Sequence, residues 1–245
     1  MSETHPVALV TGAARRIGAV IARTLHAAGY DVALHYRESR GELDALADAL
    51  ESRRAHSTLV LQADLVESAQ LPGMVDAVAA RFGRLDALVN NASMFHPTPL
   101  GSITSEQCDA MFAVNARAPL LLAQAAAPHL KAARGAIVNI TDIYAERPLP
   151  RHAAYGMSKA ALRMATLALA QELAPEVRVN ALAPGAILWP EGKSDSDRDA
   201  ALARIPLQRT GRPEEIADTV LWLIRDAGYV TGQTIRVDGG RGLDP

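Results

Sequence analysis

The chain has 245 residues, enough for one large α/β domain with a substantial buried core. Hydrophobic residues make up 49% of it, with only three Phe and two Trp, and the formal charge of −2 argues against a dedicated nucleic-acid binder. A lone Cys108, read as an inert helical thiol, excludes an internal disulfide or a zinc cluster. No apolar run approaches the roughly 20 residues of a membrane span, and a first strand starting at Val7 leaves no room for a signal peptide. The expectation is a cytoplasmic protein with no metal, no membrane partner and no nucleic acid.

Taken in chain order, residues 7–11 form a short apolar run, and Ile17, Val20, Ile21 and Leu25 follow at helical spacing. Residues 31–35 read as a second strand and 41–52 as a Leu/Ala-rich helix. Further strands are expected at 58–62 and 87–90, with a helix over 71–82 between them. A long Ala/Leu helix spans 104–129, a strand 136–140, and a second apolar helix 152–173. A strand at 178–183, a helix at 213–224 and a strand at 233–237 complete the series. Strands alternating with helices in this rhythm predict a single Rossmann-type α/β domain over 1–245, a doubly wound parallel sheet covered on both faces. The least patterned stretch, about 185–205, reads as a substrate lid. Asp195 to Asp199 within it, like Glu146 and Arg147, reads as solvated charge.

In such sheets ligands bind beyond the carboxyl ends of the strands. The residues expected there are Gly12, Arg37, Asp64, Asn91-Ala92-Ser93, Asp142 and Pro184-Gly185, which together line a cleft. In the first turn, Thr11-Gly-Ala-Ala-Arg-Arg-Ile-Gly18, Gly12 permits the tight bend and Gly18 lets helix and strand pack closely. The helix N-terminus then offers free N–H groups to a pyrophosphate. Arg15 and Arg16 oppose the helix dipole by about 0.3–1 kcal/mol each, a sign that a bound anion would reverse. The competing reading makes them two solvated arginines.

Cofactor choice depends on His35-Tyr36-Arg37-Glu38-Ser39. Arg37 suits the 2′-phosphate of NADP, and His35 and Ser39 can hydrogen-bond its oxygens, whereas Glu38 would suit the 2′-hydroxyl of NAD. NADPH/NADP is the expected cofactor; were Glu38 to reach the ribose, NADH would serve comparably well.

Asp142, Tyr155 and Lys159 are the most informative residues. Tyr155 and Lys159 are four apart and share one helix face, so the phenol is expected to be a proton donor made more acidic by the ammonium. Asp142 follows the strand at 136–140. It is read as a partner of that phenol, with a plain strand-end cap as the alternative.

These pieces, with Asn90-Asn91-Ala92, Asn115, Pro184-Gly185 and Val237-Asp238-Gly239-Gly240, resemble the short-chain dehydrogenase/reductase family over essentially the whole chain. Departures from the general pattern resemble its pteridine reductases. Arg16 replaces the usual glycine, Asp142 stands thirteen positions before Tyr155 where the usual Ser is found, and Phe95 lies in a loop like the one that stacks pterins. Carbonyl reduction builds negative charge on oxygen, which a Ser hydroxyl stabilises and an ionised carboxylate repels. Reducing a pteridine C=N bond instead leaves a nitrogen that must take a proton, and an Asp–Tyr pair can help deliver it.

The resemblance implies roles for single residues. Tyr155 is the proton donor, Lys159 holds the nicotinamide ribose and lowers the phenol pKa, and Asp142 assists protonation and contacts the pterin. Phe95 and the nicotinamide sandwich the heterocycle, while Arg16 and Ser93 bridge cofactor phosphates and substrate. Gly12, Arg15, Ile17, Gly18, His35, Tyr36, Arg37, Ser39, Asn91, Ala92, Pro184 and Gly185 belong to the cofactor site, with Asp64 and Leu65 at the adenine. Asn115 bends its helix and organises water behind Lys159, and Leu188 and Trp189 belong to the lid. Phe95 as loop packing and Trp189 as a mere loop pin are the bland alternatives. His96, His129 and His152 read as incidental. The implied activity is NADPH-dependent reduction of dihydropterins, with oxidised pterins and folates as further substrates, by a homotetramer whose apolar helices 104–129 and 152–173 form its faces. The alternatives are a dihydromonapterin or dihydrofolate reductase, a carbonyl reductase of the same family, or a non-catalytic NADP sensor.

Overall fold

A computed structural model describes residues 4–188 and 195–243, with the backbone alone described for 195–198. The first half runs β1 (Val7–Val10), α1 (Arg16–Ala27), β2 (Asp31–Tyr36), α2 (Arg40–Glu51), β3 (Thr58–Gln62), α3 (Leu71–Phe82) and β4 (Ala87–Asn90). The second runs α4 (Ser105–Phe112), α5 (Ala118–Ala133), β5 (Ala136–Ile140), α6 (Ala153–Glu172), β6 (Arg178–Pro184), α7 (Asp195–Leu202), α8 (Pro213–Arg225) and β7 (Thr234–Val237). All seven strands pair in parallel in the order β3-β2-β1-β4-β5-β6-β7. The order reverses between β1 and β4, which puts the ligand crevice at their carboxyl ends.

The central strands are short apolar runs because both faces are covered. Every residue of β1, β4 and β5 is buried, whereas the edge strands β3 and β7 are only partly so. On one face, Ile21 and Leu25 of α1, Leu43 and Leu46 of α2 and Ile216 and Val220 of α8 pack over Val10, Leu34 and Val89. On the other, Val75 and Val78 of α3, Leu122 of α5 and Leu169 of α6 cover Leu9, Leu88, Ile137 and Val179. Burying each such side chain is worth about 1.5–3 kcal/mol. Helix ends follow local chemistry. Thr104 and Gln107 form a reciprocal capping box on α4, and α3 stops at Gly83, whose φ of 75° suits a residue without a Cβ.

Three expectations need correction. The helix expected over 104–129 is α4 and α5 joined by a π-helical turn, Ala113–Arg117, the whole running Ser105–Ala133. At 29 residues it is long and apolar enough to cross a membrane by length and composition, contrary to the expectation that no run approaches that length. Half of its most apolar window is buried inside this domain, where it packs on α3 and the sheet. The segment expected as an unpatterned lid contains α7, so Asp195 to Asp199 are helical rather than loop.

Candidate active site

The turn after β1 is built by hydrogen bonds from β4. Thr11 Oγ1 accepts from the N–H groups of Asn91 (2.9 Å) and Ala92 (3.0 Å), and Asn91 Nδ2 donates to the carbonyls of Thr11 and Gly12. Any Cβ on Gly18 would lie 2.1 Å from the Gly12 carbonyl oxygen, and one on Gly12, at φ 63°, would meet Ala92 Cα at 2.9 Å. These glycines are required by close approach. Arg16 also has positive φ, 54°, although it carries a side chain. Such backbone costs about 1 kcal/mol, and strain of this kind clusters at ligand-binding sites.

The resulting cleft, about 660 Å³, is lined by Gly12, Arg15, Arg16, Ile17, Gly18, His35, Tyr36, Arg37, Glu38, Ser39, Asp64, Leu65, Asn91, Ala92 and Ser93. Nearly all the residues expected at the cofactor therefore meet there, and Pro184 and Gly185 end β6 farther along the sheet edge. The cleft's glycine cradle, free helix terminus and exposed arginines fit a dinucleotide. His35 departs from expectation. It is buried, its Nδ1 accepts from the Gly12 N–H (3.1 Å), and its Nε2 meets the Ala63 carbonyl (3.1 Å), so neither ring nitrogen is left for a phosphate. Arg37 Nε pairs with Glu38 at 3.0 Å, both side chains exposed.

Asp142, Tyr155 and Lys159 come together at the end of β5. The Tyr155 hydroxyl donates to Asp142 Oδ2 at 2.6 Å, and the Tyr144 N–H donates to Asp142 Oδ1 at 3.0 Å. Burial raises the Asp142 pKa, against the opposing effects of those two bonds and of the Lys159 and Arg241 charges. Burial, then the Asp142 charge and its hydrogen bond, push Tyr155 well above 10. Lys159, fully buried, is lowered to about 8 by desolvation. Its Nζ donates to the Ile140 carbonyl at 2.8 Å and lies 5.9 Å from the Tyr155 ring centroid. The expectation that Lys159 makes the phenol more acidic is thus not met here. Burial dominates, and the carboxylate bonded to the phenol adds to it in the same direction.

Phe95 is half exposed beside this pair, edge-on to Tyr155 (centroids 4.7 Å, 83°). His152, read as incidental, instead stacks on Phe95 at 4.8 Å and 16°. The loop is fastened there by the Thr98 N–H to the Arg151 carbonyl (2.6 Å). Asn115 sits in the π turn as expected of a bent helix. Its Nδ2 donates to Met94 O and Ser158 Oγ, both 2.9 Å, and its Oδ1 accepts from the Met94 N–H and Ser93 Oγ. Those four bonds use the amide's whole capacity, so its side chain pins the Ser93–Met94 loop rather than organising water. Ser93 also lies close enough to Tyr155 to lower its pKa, against the larger effects already named.

Arg241 was missed by sequence reasoning. It donates to the Tyr144 hydroxyl (3.0 Å), and Arg147 Nη1 donates to the Arg241 carbonyl (3.2 Å). Glu146 pairs with Arg163 and Arg236, so neither member of Glu146-Arg147 is merely solvated charge. Leu188 follows β6 and is partly exposed; Trp189 lies outside the described residues. No cluster of metal-ligating side chains is found among the described residues.

A family model described as enoyl-(acyl carrier protein) reductase matches residues 12–241. Pteridine reductase 1 of Leishmania tarentolae is 38% identical, over 99% of this chain and 98% of its own. An uncharacterized oxidoreductase of Methylorubrum extorquens is 37% identical, over 96% of each. The 3-oxoacyl-(acyl-carrier-protein) reductase of Staphylococcus aureus is 36% identical, over 95% and 96%.

Proposed function

The chain belongs to the short-chain dehydrogenase/reductase family of oxidoreductases, and from that premise we propose that it is an NADPH-dependent pteridine reductase acting on C=N bonds of dihydropterins. The observation that carries the proposal is the 2.6 Å hydrogen bond from Tyr155 to Asp142. A carboxylate at this point repels a developing alkoxide but can take part in protonating a ring nitrogen. The 38% identity to a pteridine reductase supports the same choice, and the 36% identity to a ketoacyl reductase keeps carbonyl reduction as the rival.

When bound, a reduced nicotinamide supplies the hydride. The chain supplies the rest. Phe95, braced by His152, offers a flat apolar face to the heterocycle. With Asp142 ionised, the phenol proton points at the carboxylate. Protonating Asp142, whose pKa burial raises, reverses that bond, so the carboxylic acid donates to the phenol oxygen and the phenol O–H is free for the substrate nitrogen. The nitrogen takes the Tyr155 proton, and the phenolate is refilled from Asp142, which ends ionised. Lys159 presents a buried ammonium behind the pair.

Arg37, at the end of β2, supports NADPH over NADH. A homotetramer is proposed from the apolar side chains that α5 and α6 leave exposed: Leu120, Met157 and Met164. A monomer by light scattering would contradict that assembly. The activity itself is tested by NADPH oxidation with dihydrobiopterin or dihydrofolate. Turnover of either supports the proposal, and failure with every pterin alongside brisk reduction of a ketone removes it.

A further inference from the structure

We propose that His35 is a positioning residue for the dinucleotide, its neutral ring locking the Gly12 turn in the shape that receives the pyrophosphate. This rests on the reading of the cleft as a dinucleotide site. The two contacts of the ring fix its tautomer. The Gly12 N–H is a donor, so Nδ1 must accept, and the Ala63 carbonyl is an acceptor, so Nε2 must carry the hydrogen. The imidazole therefore ties the first turn, through the end of β2, to the residue that follows β3. The turn it holds is the crowded one, where Gly12 has φ 63° and packs against Ala92.

Adding a proton breaks this arrangement at one point. Nδ1–H would then face the Gly12 N–H, two donors with no acceptor between them, in a site with 2% exposure. The turn must shift or the ring must leave. Burial lowers the His35 pKa below its ordinary 6.5, with the Ala63 bond and the Asp64 charge opposing. The charged groups lining the same cleft are Asp64 after β3, Arg15 and Arg16 at the start of α1, and Arg37 and Glu38 after β2. His96 lines it too, from the loop after β4.

The protein that binds is then the fraction with neutral His35. Below the free-protein pKa of that ring, the apparent Kd for a dinucleotide rises by up to about tenfold per pH unit. NADH is the better probe, because NADPH carries a 2′-phosphate that titrates in the same range. Calorimetry of NADH binding without substrate should show an affinity that weakens as pH falls from about 7.5 through the lowered pKa of the ring. His35→Asn keeps an acceptor near the Nδ1 position and cannot titrate, so its affinity should stay close to the wild-type neutral value across that range. His35→Gln carries its amide nearer the Nε2 position and should bind weakly at every pH. His96→Asn should keep the wild-type slope. A nitrogen-15 spectrum of labelled histidines should show His35 as the Nε2–H tautomer at neutral pH.

A His35→Gln protein that binds as tightly as the wild type at neutral pH, a nitrogen-15 spectrum with the ring hydrogen on Nδ1, or a His35→Asn protein that weakens on acidification as the wild type does, overturns the role of His35 and leaves the cofactor site standing. Absence of dinucleotide binding at any pH overturns both.

Discussion

The Tyr155 hydroxyl is turned toward Asp142, donating at 2.6 Å to Oδ2, so in this state the phenol proton faces a carboxylate and not the cleft. Proton delivery and the ionisation of Asp142 are therefore linked. Because burial raises the Asp142 pKa above its usual 3.8, the carboxylic acid persists to higher pH in the folded protein than in the unfolded chain.

The first prediction is a rise in kcat for dihydropterin as pH falls through the raised Asp142 pKa. The sign is that of a group holding its proton more tightly when folded. Its stabilising contribution is complete below 3.8 and is lost as pH rises through the folded value. Asp142→Asn should flatten the rise, since the amide does not titrate. A stopped-flow pH profile checks this, and an unchanged slope in Asp142→Asn would assign the limb to another group.

Lys159 should set the opposite limb. Desolvation lowers its pKa to about 8, so the buried ammonium loses its charge as pH rises through that value. Between there and its ordinary 10.5 the unfolded chain binds the extra proton, so stability rises with pH while activity falls. Thermal melts and kcat measured on the same samples separate the two. Full activity persisting to about pH 10 would show that the charge is not needed.

Arg16 should trade stability for binding. At φ 54° it occupies backbone that glycine adopts freely. Arg16→Gly is expected to stabilise the protein by about 1 kcal/mol, or about 2–4 °C in Tm, while weakening NADPH and pterin binding. A loss of both stability and affinity would mean that the side chain has a packing role.

Much of this was legible in the sequence because the central strands are continuous apolar runs and α1 and α8 are strongly one-sided helices. The gathering of Gly12, Asp64, Asn91 and Asp142 at one sheet edge followed from the alternation alone. The π turn did not follow from the apolar spacing, which continues through residues 113–117; only the family resemblance pointed to a bend at Asn115, whose side chain bonds to Met94 and Ser158. α7 was missed because its sequence is polar and charged, with no apolar stripe to reveal a helix. His152 on Phe95 and Arg241 on Tyr144 are contacts between distant segments, invisible to local pattern. The direction of Lys159, toward the Ile140 carbonyl, depends on where β5 ends beneath α6.

Glu38 should weaken the preference for NADPH. It holds Arg37 at 3.0 Å and competes with a 2′-phosphate for the same guanidinium. Glu38→Gln is expected to raise the NADPH-over-NADH affinity ratio by about two- to fivefold, the scale of an exposed ion pair. An unchanged ratio would mean that Arg37 does not contact the cofactor.

The most direct measurement compares kcat/KM for dihydrobiopterin and for a β-ketoacyl thioester in the wild type and in Asp142→Ser. The account predicts a wild type that favours the pterin and a variant whose preference moves toward the ketone by about a hundredfold or more, with NADPH affinity little changed. A wild type that reduces the ketone faster, or a variant with its pterin preference intact, would contradict it.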